Sequence, residues 1–554
     1  SGINLGGWRL RNYSALNAVN SQGSYRSVST YLQHDIAPLR SQFMVGDTWT
    51  ANDLFDSAQI RGVRLYTDND MLPDSMNGFA PIVRGVAKSN AVVTIRQNGY
   101  MIYQSAVPQG PFALTDLNTT SSGGDLDVTI KEEDGSEQHF VQPYASLAIL
   151  RREGQTDVDI SVGEYRNDNR FSPDVMQAQM LRGMPWGMTL YGGTQLAEDY
   201  SAFAAGLGKD LGEIGAVSID VTHADSRFSD DQTQGQSWRF LYSKTFDVSN
   251  TSLRIVGYRY STEGFYTLDE WASRNGDSDS FWQTGNRRSR LEGTWTQPFT
   301  EGYGNIYLTL SREQYWQTDD VERLIQVGYS NSWRQIMWNL SWNYTDTAGS
   351  SVGEWQHEDE SEHVIMLSVS LPLSDWLPHS YANYSYAHSG HSSPSHQVGL
   401  NGNVLEDNNL SWNLQQSYYE NNANAGGNAG LNWDASYGSM KANYAWSDES
   451  QSVNYGVSGG VLIHSEGITF SQEMGETVAL IKAPGAAGLS VDNENGVATD
   501  WRGYTVKTQL SPYDENRIAL GNNDFTSGNI ELEKSVQQLV PTRGAVVKAE
   551  FVTH

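Results

Sequence analysis

In IMWNLSWNY, residues 336 to 344, Ile336, Trp338, Leu340, Trp342 and Tyr344 take every second position, and Asn339, Ser341 and Asn343 lie between them. Successive side chains of a strand point to opposite faces, so this spacing predicts a strand with one apolar and one polar face. The same period runs through Ile365, Leu367, Val369 and Leu371, set against His363, Ser368 and Ser370. It recurs at Leu410, Trp412 and Leu414, at Leu431, Trp433, Ala435 and Tyr437, and at Met440, Ala442, Tyr444 and Trp446. EDNN (406 to 409) and NNANAGGNAG (421 to 430) read as hairpin connections between these runs. A soluble sandwich alternates in the same way. Two details favour a wall between lipid and water: Trp and Tyr near the run ends, where amphipathic rings suit a membrane interface, and Asn, Ser, Gln and Gly opposite them, which suit a hydrated lumen.

The rule is suspended between about residues 71 and 154. That stretch holds Pro73, Pro81, Pro108, Pro111 and Pro143, and no Trp occurs between Trp49 and Trp186. Inside it Asn98-Gly99 is a two-residue hairpin signal between β-branched and aromatic runs, and Asp134-Gly135 separates two further strand patterns. The block predicts a small β domain of about five or six strands spliced into a larger sheet. The preceding strand is expected to end near Leu72 and the inserted domain to begin near Phe79, with Pro73 and Pro81 stopping the ladder. Farther on, Thr267 and Glu270 form a capping-box pattern ahead of LDEWASRN, which predicts a helix over about 268 to 275. From about Gly467 the aromatic alternation fades into short strand patterns that predict a separate C-terminal sandwich.

Composition narrows the rest. Charged residues make up 18% of the 554 and aromatics 11%, and the formal net charge is -29. No basic surface for phosphate is apparent, so a nucleic-acid partner is not expected. Without Cys, neither disulfides nor thiolate metal sites are available. The chain opens on Ser1 with no charged-then-apolar leader, as expected of a processed or excised segment. No run of about 18 apolar residues is present, which excludes a membrane helix but not a barrel, whose strands need only about 9 to 11 residues. A mean hydropathy of -0.52 fits such a barrel as well as a soluble protein. Setting aside about 85 residues each for insert and tail leaves roughly 385, enough for about 21 to 24 strands at about 16 to 18 residues per strand and turn. A lumen that wide cannot be filled by side chains, so a stopper has a physical use.

Several segments are similar to one family. GINLGGWRLRNYS (2 to 14), HDIAPLRSQFMVGD (34 to 47), MLPDSMNGFAPIVRGVA (71 to 87), GPFALTDL (110 to 117), GGDLDVTIKEEDGS (123 to 136), YGGTQLAEDYSAFAAGLGKDLGEIGAVSIDVT (191 to 222), LEDNNLSWN (405 to 413), LIKAPGA (480 to 486), TDWRGY (499 to 504) and VPTRGAVVKAEF (540 to 551) resemble the outer-membrane fimbrial ushers of the chaperone-usher pathway. The resemblance implies an all-β protein: a transmembrane barrel of about 24 strands, with a β-sandwich plug in one inter-strand loop and periplasmic domains at the ends. It assigns 1–70 to the first barrel strands, 71–154 to the plug, 155–466 to the remaining barrel and 467–554 to the first C-terminal periplasmic domain. The domain that first captures chaperone-subunit complexes and a second C-terminal domain are expected to lie outside this sequence. Implied partners are periplasmic chaperone-pilin complexes, the growing pilus and outer-membrane lipid. Subunits would be joined by exchange of a chaperone strand for the extension of the next subunit, a β-strand addition that needs no ATP.

The expected hinges of a moving plug are Met71, Leu72, Pro73 and Asp74 on one side and Arg152 and Gly154 on the other. Phe79, Pro81, Asn98, Gly99 and Phe112 are assigned to the plug fold. Thr267, Glu270, Trp271 and Arg274 are assigned to a helix that contacts the plug. HEDESEH (357 to 363) lacks the spacing that places two His on one helical face and reads as a solvated loop. GLGKDLG (206 to 212) misses the dinucleotide fingerprint and reads as a glycine-softened strand or turn. No nucleophile elbow or phosphate loop is visible, so no catalytic site, cofactor or nucleotide is expected. The rival expectations are a plugged passive porin or ligand-gated transporter, and a soluble aromatic-rich carbohydrate-binding protein or glycosidase. A barrel is expected to stay monodisperse only in detergent; size-exclusion chromatography giving a single soluble species in plain buffer would exclude it.

Overall fold

A computed structural model describes residues 1–19, 22–71, 83–97, 100–108, 110–114, 117, 126–132, 137–142, 149–151, 153–166, 171–211, 215–246, 251–277, 281, 285–300, 302–346, 361–390, 393–405, 409–420, 425–521 and 531–554. Among them, one 23-stranded sheet runs antiparallel from Gly2–Leu5 to Gln451–Ser458, each strand paired with the next. No pairing joins those two outermost strands to each other among the described residues.

Burial along the wall is inverted relative to a soluble protein. On strand Thr156–Tyr165, Ile160 and Val162 are 43% and 50% exposed, whereas Asp157, Asp159 and Ser161 are 6%, 8% and 1% exposed. The pattern repeats around the sheet, with Leu207, Ile219, Phe240, Leu340, Ile365, Leu414 and Leu431 exposed and Gln177, Gln195, Ser218, Thr222, Gln326, Ser341 and Ser417 buried. An apolar surface that continuous is stable only against hydrocarbon, and the buried polar face lines a lumen where hydrogen bonds replace bulk water. The sheet curls into a barrel wall, so that Asp56, in the loop after Ser41–Trp49, reaches Arg259 on strand Thr251–Ser261.

Several wall glycines are steric spacers. Strand Ala425–Ala435 takes in Gly426, Gly427 and Gly430, part of the stretch expected to be a hairpin connection. A Cβ on Gly427 would lie 2.1 Å from the Trp446 ring, so the glycine makes room for a cross-strand aromatic rather than a turn. Gly206, on strand Tyr200–Asp210, similarly leaves room for the Tyr191 ring.

The insert leaves the sheet between two hydrogen-bonded neighbours. Val63 on Gln59–Thr67 pairs with both Val45 and Val162, so the strands before and after the insert are adjacent. The insert is a two-layer sandwich with the order Glu137–Gln142, Leu126–Lys131, Ala91–Gln97, Tyr100–Val107 in one sheet and Val83–Ala87 against Gly110–Leu114 in the other. Its layers close on Val83, Val93, Ile95, Leu126, Val128 and Ile130, all essentially buried. The strand ahead of it stops at Thr67, five residues before the expected end at Leu72. The stop comes from Asp68: its carboxylate accepts the Asp70 N–H at 3.0 Å and its carbonyl accepts the Met71 N–H at 3.2 Å, forming the turn Asn69–Met71. Pro73 and Pro81, expected to stop the ladder, lie outside the described residues.

The large sheet ends at Ser458, and the hairpin Gly460–His464 with Gly467–Ser471 pairs on its own. The expected boundary at 467 falls inside that hairpin, because GVLIH keeps alternating after the wall's pairing has stopped. Beyond it a C-terminal unit is built on Val478–Lys482, flanked by Tyr504–Lys507 and, in parallel, by Val546–Glu550. Val478, Ala479, Leu480 and Ile481 are all buried, as a strand covered on both faces requires.

Inverted burial sets an asymmetric response to charge. Leu340→Arg, on the outward face near mid-strand, is expected to destabilise the barrel by about 2–4 kcal/mol. Asn343→Lys, on the lumen face of the same strand, is expected to cost under about 1 kcal/mol; urea unfolding in lipid vesicles compares the two.

Candidate functional site

The inserted sandwich sits in the lumen against one part of the wall. Its Val83–Ala87 strand and the following turn carry Arg84 and Lys88. The Arg84 guanidinium lies 4.1 Å over the Tyr307 ring, and the Arg84 carbonyl accepts from Gln326 Nε2 at 3.4 Å. Lys88 Nζ pairs with Glu362 Oε1 at 2.7 Å, and its carbonyl accepts from the Tyr419 hydroxyl. Lys88 is presented by a turn that Glu132 fixes: the Glu132 carboxylate accepts the N–H groups of Lys88 and Ser89 at 3.0 and 2.9 Å. The rest of this face is a cavity of about 800 Å³ between the sandwich and the wall, lined by Phe112 and by Asn339, Ser341, Asn343, Ser368 and Gln397. Among the described residues the sandwich is therefore held here by polar contacts beside water, each contributing little individually.

Glu362 comes from HEDESEH. Residues 361 to 363 open strand Ser361–Pro372, and Glu362 pairs in register with Thr345, facing the lumen. The expectation of a solvated loop is corrected for these three residues; the preceding 357 to 360 lie outside the described ones. Sequence inspection missed Arg84, Lys88, Tyr307, Gln326 and Tyr419. The available signal was a pair of cations near the start of the insert in a strongly acidic chain.

Two arms join the sandwich to the wall at one rim. The outgoing arm is the Asp68–Met71 turn. The returning arm lies on the next strands: Ile149 is buried in the wall's inner cluster, the Arg151 N–H donates to Thr189 Oγ1 at 2.9 Å, and Arg151 pairs with Asp157. Gly154 has φ 84°, a conformation favouring glycine, and its N–H donates to Gly183 O at 3.0 Å. Gln155 Nε2 reaches Asn69 Oδ1 at 3.4 Å, so the arms touch. Met71, Gly154 and Phe112 are thus placed; Phe112 packs on the sandwich core. Leu72, Pro73, Asp74, Phe79, Pro81, Asn98, Gly99 and Arg152 lie outside the described residues, although Gln97 pairs with Tyr100 across Asn98-Gly99. The C-terminal unit docks at the same rim, through Arg543 on Asp68 and the Gly544 carbonyl, which accepts from Asn4 and Arg11 at 2.9 and 2.8 Å.

The helix α1, Leu268–Asn275, begins with both bonds of a capping box between Thr267 and Glu270. Trp271 is 1% exposed, wedged edge-on to Phe171 and beside Tyr200, with its Nε1–H donating to Arg227 O at 3.1 Å. The Arg274 guanidinium lies 3.9 Å over Phe228 and donates to the Tyr266 hydroxyl at 2.8 Å. These bonds fasten α1 to the inner wall and its loops, together with the loop 51–58, whose Leu54 and Phe55 join the same apolar cluster. Among the described residues, strands 156–298 carry the helix and strands 305–419 the seat of the sandwich, and Ile149 of the returning arm joins the same buried cluster as Leu268, Trp271 and Ala272.

A wide lumen lined by polar side chains, a lipid-facing apolar exterior and a tethered sandwich within define a plugged transmembrane β-barrel. The profile of the family described as outer membrane usher protein matches residues 1–551, and the chain belongs to that family. It is 43% identical to the outer membrane usher protein LpfC of Salmonella typhimurium and 42% identical to the outer membrane usher protein FimD of Escherichia coli K12, in both cases over 100% of this chain. It spans 64% and 66% of those proteins' own lengths. Its structure is similar to that of the P pilus usher (PapC) translocation pore, with a TM-score of 0.70 and 26% identity over 82% of this chain and 92% of that one. It is also similar to PapC in the E. coli P pilus tip assembly intermediate PapC-PapD-PapK-PapG, with a TM-score of 0.69 and 26% identity, over 99% of this chain and 68% of that one. Family and fold place the barrel in the outer membrane.

The start of α1 is electrostatically tuned. Glu270 Oε1 accepts the Thr267 N–H at 3.0 Å and Oε2 accepts the Arg287 N–H at 2.6 Å. Although part of the side chain meets lumen water, burial pushes the carboxyl from its ordinary 4.5 up to about 7, against the opposing pull of Arg287 and those two N–H groups. The folded carboxyl binds its proton more tightly than the unfolded one, so this contribution to stability is full below about 4.5 and lost as pH rises through about 7. Hydrogen exchange of the α1 amides is expected to show stronger protection at pH 5 than at pH 8, by about 1 kcal/mol after correction for intrinsic rates. Glu270→Gln is expected to flatten that difference; an unchanged slope would place the titrating group elsewhere.

Proposed function

We propose that this chain forms the plug-gated pore through which chaperone-delivered fimbrial subunits cross the outer membrane as they are assembled into a pilus. The single observation that carries this is the seat of the sandwich: a folded domain inserted between two neighbouring wall strands and held in the lumen by polar contacts beside water. Such a domain can leave the lumen without breaking the wall's ladder, since its ends remain on adjacent strands. Met71, Leu72, Pro73 and Asp74 on one arm and Arg152 and Gly154 on the other are the proposed hinges. Thr267, Glu270, Trp271 and Arg274 belong to the proposed plug-contacting helix α1, whose buried cluster also takes in Ile149 of the returning arm. The proposed partners are chaperone-pilin complexes and the growing pilus, in line with the family and with the PapC-PapD-PapK-PapG assembly to whose usher this chain is similar. The pore supplies position and passage; strand exchange between subunits supplies the free energy.

In the full-length protein, replacing residues 74 to 152 by a short linker is expected to convert small, rare currents in planar bilayers into large, sustained ones. Unchanged small currents would contradict the plug's role as a stopper. Co-purification with a chaperone-bound pilin is expected, and its failure with correctly folded protein would favour a plugged passive porin.

A further inference from the structure

We infer that Arg543 of the C-terminal unit positions the plug's outgoing arm, so that displacement of the loop around Arg543 frees the plug. This rests on the gated-pore function proposed above and adds to it a residue through which the C-terminal unit controls the gate.

The arm is built around a buried charge. Asp68 is 5% exposed, its N–H donates to Arg40 O at 2.8 Å, and its carboxylate and carbonyl close the turn that ends at Met71. Arg543 faces this carboxylate as a fork, with Nε 2.8 Å from Oδ2 and Nη2 3.1 Å from Oδ1. Nη2 also pairs with Asp70, and Nη1 lies 3.4 Å from Glu476 Oε2. One guanidinium thus answers three carboxylates, two from the arm and one from its own unit. Gln42 of the wall completes the site, with its Nε2 3.0 Å from Asp68 Oδ2 and 2.8 Å from the Tyr513 hydroxyl of the C-terminal unit.

The loop bearing Arg543 is held in register with the rim. The Gly544 N–H donates to Thr477 Oγ1 at 3.0 Å, its carbonyl accepts from Asn4 and Arg11, and Thr542 Oγ1 lies 3.4 Å from Arg9 Nη2. A shift of this loop therefore moves the guanidinium relative to the arm. Once it is withdrawn, Asp68 becomes a buried carboxylate with reduced compensation, next to the like charge of Asp70, and the turn that fixes the arm loses its support. The contacts of Arg84 and Lys88 beside water each contribute little, so loss of that turn weakens the seat as a whole. A ligand that displaces this loop would act on the gate by this route, without touching the plug.

The test uses the full-length protein in planar bilayers. The chain has no Cys, so Lys88→Cys with Glu362→Cys, joined by a short bifunctional thiol reagent, reports a seated plug. Because this pair removes one seat contact, cross-linking in each background is read against the same pair with Arg543 and Asp70 intact, and openings are recorded without it. Arg543→Ala is expected to raise the frequency of large openings by about tenfold or more and to lower cross-linking correspondingly. Arg543→Lys is expected to fall between, since a lysine cannot form the fork. Asp70→Asn, which leaves the C-terminal unit untouched, is expected to act in the same direction as Arg543→Ala. Combining Arg543→Asp with Asp70→Arg is expected to restore cross-linking above the level of Arg543→Asp alone, a rescue that mere loss of folding would not give. Openings and cross-linking at the unmodified level in Arg543→Ala, or in Asp70→Asn should Arg543→Ala fail to fold, overturn the inference. Deletion of the plug separates the two ideas: large currents there with a silent Arg543→Ala sink only this positioning role, and small currents there sink the gate and this role with it.

Discussion

Between its outermost members, each wall strand in this protein finds partners for its backbone N–H and C=O groups on two neighbours, because hydrocarbon offers none. That constraint makes the sheet continuous, and continuity makes it large. With 23 strands in sequence order among the described residues, the enclosed space is far wider than side chains can fill. Lipid outside and water inside then dictate the inversion seen at Ile160 and Val162 against Asp157, Asp159 and Ser161. Everything in the lumen is secondary to this arrangement: the loop 51–58, helix α1 and the sandwich domain all occupy space that the ladder creates but cannot close.

The same constraint governs how an inserted domain can be attached. Cutting the ladder would expose unpaired peptide groups to lipid, so the sandwich is introduced where a rim turn would otherwise join two adjacent strands. Val63 keeps its pairing with Val45 and Val162 whatever the sandwich does. The division of forces follows. Apolar packing, in the cluster around Trp271 and in the sandwich's own core, fixes parts that stay folded. Charged and polar contacts, at Arg84, Lys88 and Asp68, join the sandwich and the C-terminal unit to the wall, and such contacts can be rehydrated on the proposed release.

Much of the architecture was legible along the chain. The period of two in IMWNLSWNY is a direct consequence of strand geometry, and its polar and apolar faces carry over to Leu340 outside and Ser341 inside. Thr267 and Glu270 announced a helix because a capping box is a local device, complete within four residues. Where a residue's reason is its neighbour across the sheet, the chain was misleading. Gly427 reads as a turn former but is a spacer for Trp446, and Glu362 reads as part of a solvated acidic loop but faces Lys88. The end of the strand before the insert was placed by prolines, whereas the side chain of Asp68 ends it sooner.

The sequence by itself determined the class of fold, the alternation of solvents and the family, because periodicity, composition and long ordered segments are properties of the chain read in order. Only the tertiary structure decided which residues meet: Arg84 with Tyr307, Lys88 with Glu362, and Arg543 with Asp68 across 475 positions. The physical reason is that such pairs are set by strand register and by the curl of the wall, which no local pattern encodes. A lone cation in the plug or in the C-terminal unit acquires meaning only when the barrel brings a carboxylate or a ring to within a few ångströms of it.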